Sequence, residues 1–316
     1  PIGLCVNTSP DEPWPRRSRA FPRRPGPDSI HALLGTFRMN QPLTAFGRGQ
    51  AIDPSLVGRL GQAIAALGRP GFPAALDDLL GSVARFDLTC IFAYPAGRGP
   101  VLLHDGLKGV GTSQAMENYL KGTYLLDAVY FACSQGKAPG LYRLRELAPD
   151  AFFVGEYYNS WEVHPCISME SGSLDEEICY IASIGDAPAA YSLMRSNGSG
   201  QFSNTEFEQL KALEPIVGEL LRQHWREPPW HAEPRRSGRD QAALEDAFQS
   251  FGKGELTARE TDICRMLLRG HSTTSIAANL GLAEGTVKNH CKHIYARLNI
   301  SSRSELFRRF LNHIFA

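Results

Sequence analysis

Four short amphipathic stretches follow one another between Leu256 and Ile314, each with its own start or stop signal, and this leaves few folds open. Thr257 and Glu260 stand at capping-box spacing, so a helix begins there with Ile263, Met266 and Leu267 on its inner side. Gly270 ends that helix, and Ser272 caps a second one that turns Ile276, Ala277 and Leu280 inward. Gly281-Leu282 makes a tight turn, after which a third helix runs from about Glu284 to Leu298 over Val287, Ile294 and Leu298. A fourth, from Ser302, buries Leu306, Phe310 and Ile314. Two short helices joined through a glycine turn form a helix-turn-helix, whose second helix lies in the major groove of DNA.

The outer side of the third helix carries Thr286, Lys288, Asn289, Lys292 and His293. Residues 288, 289 and 292 share one stripe, at i, i+1, i+4 spacing. Lysine donates to phosphate or to guanine O6/N7, and asparagine pairs bidentately with adenine. An amphipathic helix always has a solvated polar side, so periodicity alone leaves that plainer reading open.

Charge and composition divide the rest. Residues 1–50 carry a net +4, residues 51–254 a net −8 and residues 255–316 a net +4, although the whole chain of 316 residues is neutral. A compact basic end on an acidic body suits a polyanion at one end only. In residues 1–50, five prolines from Pro13 to Pro27 alternate with arginines, which reads as a disordered tail. Met39-Asn-Gln-Pro42 reads as a natural start, which would make residues 1–38 an addition upstream of it. Proline, arginine, glycine and serine dominate again over 227–253, a linker with room for a short helix at Gln241–Phe251. Residues 51–226 and 254–316 are then the two folded domains.

Residues 51–226 read as an α+β sandwich. Helices fit Pro54–Leu67 and Pro73–Phe86, and strands fit Leu88–Tyr94, Val101–His104, Glu177–Ile184 and Ala189–Arg195. A tyrosine-rich helical region spans Thr112–Cys133, and Ser203-Asn-Thr-Glu206 caps a helix reaching about Trp225. Its stripe of Leu210, Leu213, Val217, Leu220, Leu221 and His224 would pack either on its own sheet or on a second subunit.

Residues 256–310 resemble the helix-turn-helix domain of LuxR/GerE-type transcription regulators. The matching run is Leu256-Thr-x-Arg-Glu260, Gly270-x-Ser272, Ile276-Ala277, Leu280-Gly281, Glu284-Gly-Thr-Val-Lys-Asn-His290, Leu298 and Ser302-Arg303-x-Glu305-Leu306. The resemblance implies that Lys288, Asn289 and Lys292 face bases and phosphates, with Thr286 and Thr273 near the DNA backbone. Thr273-Thr-Ser275 stands where the family more often has Asn-Lys-Glu. Arg303 either touches phosphate or ties two helices together. A fourth helix that pairs two subunits is also implied, hence a homodimer on double-stranded DNA with RNA polymerase as a further partner.

Tyr119-Leu-Lys-Gly-Thr-Tyr124-Leu-Leu-Asp127-Ala-Val-Tyr130, with Tyr142 beyond it, is similar to the stretch of acyl-homoserine-lactone receptors around their Asp-Pro-Val. Asp127 matches the aspartate that holds the ligand amide there, and Tyr142 falls where a tryptophan stands. Ala128 replaces the proline, and Gln114 and Asn118 replace the Trp and Tyr that hold the carbonyls. The whole of 51–226 looks like the GAF/PAS-like sensor half of orphan regulators. Taken singly, each aromatic residue reads as core and Asp127 as a helix cap. Taken together, Tyr119, Tyr124, Asp127, Tyr142, Tyr157, Tyr158 and Trp161 suggest an apolar pocket with few polar anchors, suited to an amphiphilic small molecule.

Other classes fit less well. Asp77-Asp78 lies in a helix pattern, not at a strand end as a phosphorylated receiver requires. Ser199 sits in a turn, His164 and Cys166 only flank Pro165, and no Walker or dinucleotide glycine pattern occurs, so no catalytic residue, cofactor or metal is expected. A thiol or metal sensor would rest on Cys133, Cys166 or Cys179 with His164. The seven cysteines are scattered without a CxxC pair, which favours reduced thiols in a cytoplasm. No run of about 18 apolar residues is present, so a membrane is not an expected partner. The remaining alternative is a regulator that is constitutive or answers to a protein partner, with 51–226 serving only to dimerise.

Overall fold

In a computed structural model of the chain, residues 53–107, 113–167, 172–232 and 246–315 are described. The expected tail over 1–50, the start at Met39 and residues 233–245 of the linker fall outside them. Helices α1 (Pro54–Ala65) and α2 (Phe72–Gly81) come first. Asp53 caps α1 by accepting from the Ser55 N–H at 2.8 Å, and Pro54 occupies a position where the amide proton has no helical partner. Strands β1 (Leu88–Ala93) and β2 (Val101–Gly106) follow, then α3 (Ser113–Lys121), a 3-10 turn (Thr123–Leu126) and α4 (Ala128–Ser134). The expected helical stretch over 112–133 is therefore broken twice, at Gly122 and at Asp127.

Strand β3 (Gly140–Arg143) runs into two short helices, α5 (Leu144–Leu147) and α6 (Glu156–Asn159), before the long strands β4 (Leu174–Ile184) and β5 (Ala187–Ser196). The five strands form one antiparallel sheet in the order β2-β1-β5-β4-β3. Apart from irregularities in β2 and at the start of β4, its residues alternate between two cores. Ile91, Ile178, Tyr180 and Leu193 face α1, α2 and α8, while Cys90, Phe92, Cys179 and Met194 face α3, α4 and α6. Asp77 of α2 accepts from Thr89 Oγ1 at 2.9 Å, lies 2.9 Å from His104 Nε2, and accepts from the Tyr191 hydroxyl. That carboxylate fastens a helix to the sheet, which is its structural use. At the β3 edge, Glu176 receives Arg143 at 2.6 Å, Arg145 at 2.5 Å and the Phe202 N–H at 2.7 Å.

The helix expected from 203 to 225 is two helices, α7 (Asn204–Ala212) and α8 (Glu214–His224). Pro215 lies in the first turn of α8 and has no N–H to continue α7. Leu210, Val217, Leu220 and Leu221 are buried against the sheet, and His224 stacks on Phe72 at 4.2 Å. The buried part of the stripe thus packs on its own sheet. A turn of helix, α9 (Pro229–Ala232), leads away from it.

The last part is all helical: α10 (246–250), α11 (Ala258–Leu268), α12 (Thr273–Leu280), α13 (Glu284–Arg297) and α14 (Arg303–Phe315). Thr257 and Glu260 form the full capping box, Ser272 caps α12, and Gly281 closes it at φ +65 with Leu282 N–H on the Ala277 carbonyl at 2.9 Å. Phe248 and Phe251, just ahead of α11, both meet Phe310 edge-on. The fold is α+β, an antiparallel sheet between helical layers followed by a four-helix DNA-binding-type module.

Candidate functional site

Helix α13 packs on α11 and α12 through Val287, Cys291, Ile294 and Leu298, all buried. That seating leaves Thr286, Lys288, Asn289, Lys292 and His293 exposed. Lys288 Nζ sits 2.7 Å from Glu284 Oε1, and Thr273 Oγ1 donates to the same oxygen at 3.2 Å. The Lys288 hydrogen bond holds the Glu284 carboxyl below its usual range, with the Lys288 charge and the Thr273 hydroxyl adding to it. An exposed pair of this kind is weak, so the lysine is free to exchange it for a phosphate. Thr273 and Glu284 start α12 and α13, so the shared carboxylate brings both helix N-termini to one surface. Arg303 is half-buried and donates to the Leu267 carbonyl, tying α14 to α11.

Glu260, His290 and His293 bring three metal-ligating atoms within 4.8 Å of one another. Glu260 is already engaged. Its Oε2 receives Thr257 N–H at 2.9 Å and Arg297 at 3.1 Å. A guanidinium in that position opposes a cation, so the trio reads as a helix cap with an ion pair.

The second candidate region lies between the sheet and α3, α4 and α6. A cavity of about 20 Å³ there is lined by Tyr94, Tyr119, Asp127, Phe152, Tyr157 and Glu177, among others. Tyr119 donates to Asp127 Oδ2 at 2.7 Å, and the Tyr94 and Tyr119 hydroxyls are 3.3 Å apart. Asp127 Oδ1 caps α4 through the Val129 N–H at 2.9 Å. Burial pushes the Asp127 carboxyl up, and the Tyr119 and Val129 hydrogen bonds pull the other way. Burial likewise raises Tyr94, Tyr119 and Tyr157 well above the usual phenol range. Glu177 is raised to about 7 by burial and by the charge of Asp127, although Ser192 donates to it at 2.6 Å.

Of the aromatic residues singled out from the sequence, Tyr119 and Tyr157 line this cavity with Asp127, and the others do not. Tyr124 is buried beside it, edge-on to Tyr130 at 4.7 Å. Tyr158 faces a separate cleft of about 400 Å³ with Phe153, Asp175 and Glu176. Tyr142 lies at the β3 edge with its hydroxyl on the Ala138 carbonyl at 3.0 Å, and Trp161 is 38% exposed. Sequence reading missed Tyr94, Phe152 and Glu177. Tyr94 could have been found from strand alternation, because it shares a face with Cys90 and Phe92.

The thiols offer little redox chemistry. Burial raises Cys133 to about 12 and raises Cys179, and Cys166 is raised first by a hydrogen bond with Cys90 and then by burial. His164 is pushed down to about 4 by burial, so it is neutral. Protonated thiols are poor nucleophiles and poor metal ligands.

The packing of α11, α12 and α13, with α13 exposed and basic on its outer side, defines a helix-turn-helix module of the DNA-binding class. Residues 254–310 match the family model of bacterial regulatory proteins of the luxR family, and this C-terminal part is a LuxR-family helix-turn-helix domain. A helix-turn-helix-type transcriptional regulator of Aeromonas salmonicida is 40% identical over 126 residues, which are 39% of this chain and 64% of the relative. The regulator GfsR of Streptomyces halstedii is 37% identical over 82 residues, 26% of this chain and 32% of that one. The chain thus spans under two thirds of these relatives. They and the family are transcriptional regulators and not enzymes. Among solved structures, the LBD domain of VqsR from Pseudomonas aeruginosa aligns with a TM-score of 0.45 at 22% identity, over 57% of this chain and 99% of that one. Escherichia coli SdiA aligns at 0.33 and 16% identity, over 81% and 93%. Among the described residues, no helix is long and apolar enough to cross a membrane.

Proposed function

We propose that the chain is a DNA-binding transcription regulator that works in the cytoplasm as a homodimer. The observation that carries this is the exposed face of Thr286, Lys288, Asn289 and Lys292 on α13, the third helix of a LuxR-family module. In this reading Lys288 and Lys292 meet phosphates or guanine edges, Asn289 supplies base choice, and Thr273 and Thr286 approach the backbone. Two copies would read half-sites about 10 bp apart. Pairing would use α14, whose Phe315 is 40% exposed. Arg303 serves the domain's own fold.

The test uses a mixed-sequence DNA duplex and fluorescence anisotropy across a salt series. Lys292→Ala is expected to weaken binding and to lower the slope of log affinity against log salt by about 1 per subunit. A slope equal to that of the unaltered chain would refute the placement of Lys292. Native mass spectrometry of the same sample is expected to give twice the chain mass, and a monomer at micromolar concentration would remove the dimer from the reading.

For the middle domain, the proposed input is a small amphiphilic molecule entering at Asp127, Tyr119 and Tyr157. The cavity of about 20 Å³ takes roughly one water, so entry requires the aromatic walls to move apart. The same small volume favours a second reading, in which this half has no ligand and only supports dimerisation. A mass released on denaturing protein purified from its own host decides for the first, and no released mass decides for the second.

A further inference from the structure

Among the described residues the two halves of the chain meet through Arg269, whose guanidinium lies over the Phe131 ring of α4, and through a more specific contact next to it. The segment from Pro149 to Glu156, between α5 and α6, lies against the junction of α11 and α12. The Ala151 N–H donates to the Gly270 carbonyl at 3.0 Å. Ser272 N–H donates to Asp150 Oδ1 at 2.9 Å, and the Ser272 hydroxyl donates to Asp150 Oδ2. Farther along, Ser304 of α14 donates to Glu156. Gly270 sits at φ +96, and a methyl group on it would come within 2.7 Å of Phe152 Cα. Only glycine permits that backbone angle together with that approach.

Ser272 is the cap of α12, the helix that crosses the DNA backbone in this class of module. Its N–H groups and the helix dipole make this end a place for an anion. On DNA the anion would be a phosphate. Here it is a carboxylate from the body of the same chain, held by two hydrogen bonds. Two anions cannot occupy the one position, and residues 51–254, which supply the carboxylate, carry a net −8 in sequence.

We propose that the segment 149–156 is an autoinhibitory clasp, in which Asp150 takes the position of a DNA phosphate at the N-terminus of α12, so that DNA binding requires its release. The proposal rests on the DNA-binding reading above and adds how that surface is controlled. The clasp is also wired to the aromatic cavity. Phe152 lies against Gly270 on one side and lines the cavity beside Tyr157 and Asp127 on the other. Anything that widens the cavity pushes on the residue that holds the clasp shut.

The experiment compares the full chain with Asp150→Ala, using the mixed-sequence duplex at fixed low salt. Loss of a charged hydrogen-bond partner is expected to tighten DNA binding by about tenfold. Hydrogen exchange supplies a second readout that needs no variant. Saturating the unaltered chain with duplex should speed exchange of the Ala151 amide, whose acceptor is Gly270. Equal affinity of the two proteins, or an Ala151 amide that stays equally protected on DNA, would overturn the clasp and leave DNA binding standing. No binding by either protein would overturn both readings.

Discussion

Replacing Glu177 by Gln offers a direct measure of what the cavity costs the fold. The Glu177 carboxyl ionises at about 7 in the folded chain, against an ordinary value of 4.5. The difference amounts to about 3 kcal/mol, at roughly 1.4 kcal/mol per pH unit. Its sign follows from linkage. Between pH 4.5 and pH 7 the folded chain holds a proton that the unfolded chain has lost, so this group's contribution to stability falls as pH rises through that range. Above pH 7 the penalty is complete. Glutamine keeps an oxygen for the Ser192 hydroxyl and never ionises. Glu177→Gln should therefore match the unaltered chain below about pH 4.5 and exceed it by up to about 3 kcal/mol at pH 8. His164 works in the opposite direction. It is neutral down to about 4 against 6.5, and its contribution is lost as pH falls between those values. The two groups offset each other where their ranges overlap, so the pH curve of one protein hides both and the difference between two proteins reveals Glu177. Urea midpoints followed by tryptophan fluorescence at pH 4.5, 6 and 8 give that difference. A gap between the proteins that does not change with pH would refute the argument.

Tyr119→Phe removes the hydroxyl that donates to Asp127 and should cost about 1–3 kcal/mol, seen as a lower thermal midpoint. An unchanged midpoint would mean that this hydrogen bond contributes nothing to the fold. Cys133, Cys166 and Cys179 should resist a thiol reagent at neutral pH until urea is added, as mapped by peptide mass. Rapid labelling of any of them in the folded chain would restore the thiol-sensor reading.

The helix-turn-helix was legible because its signals are local. Thr257 and Glu260, Ser272, Gly270 and Gly281 each act within four residues of their own position, and the structure uses all of them. The exposed side of α13 followed from helical period, whereas a DNA-contacting role for it came only from the family resemblance. The middle domain was harder to read. Strand β3 is four residues long, and its pairing to β4 is a tertiary fact. The apolar stripe over 210–224 runs unbroken across Pro215, so the pattern concealed two helices. Aromatic content drew Trp161 and Tyr142 into the candidate pocket, yet sequence neighbours need not share a cavity. The clasp joins Asp150 to Ser272 with no periodic trace, and no local rule could have found it.

The strand order also bears on how the chain leaves the ribosome. Strand β1 lies inside the sheet with all six residues buried, and its Ile91 pairs with Tyr191 of β5. Synthesis at roughly 5–20 residues per second delivers that partner about 5 to 20 seconds later. Over that interval Leu-Thr-Cys-Ile-Phe-Ala, an apolar segment, has only β2 beside it and its other edge stays open. The helical C-terminal module closes on contacts between near neighbours and needs no such wait. Misassembly of a nascent chain should therefore begin at residues 88–93, and a chaperone that shields extended apolar segments would serve this protein most before residue 196 has emerged.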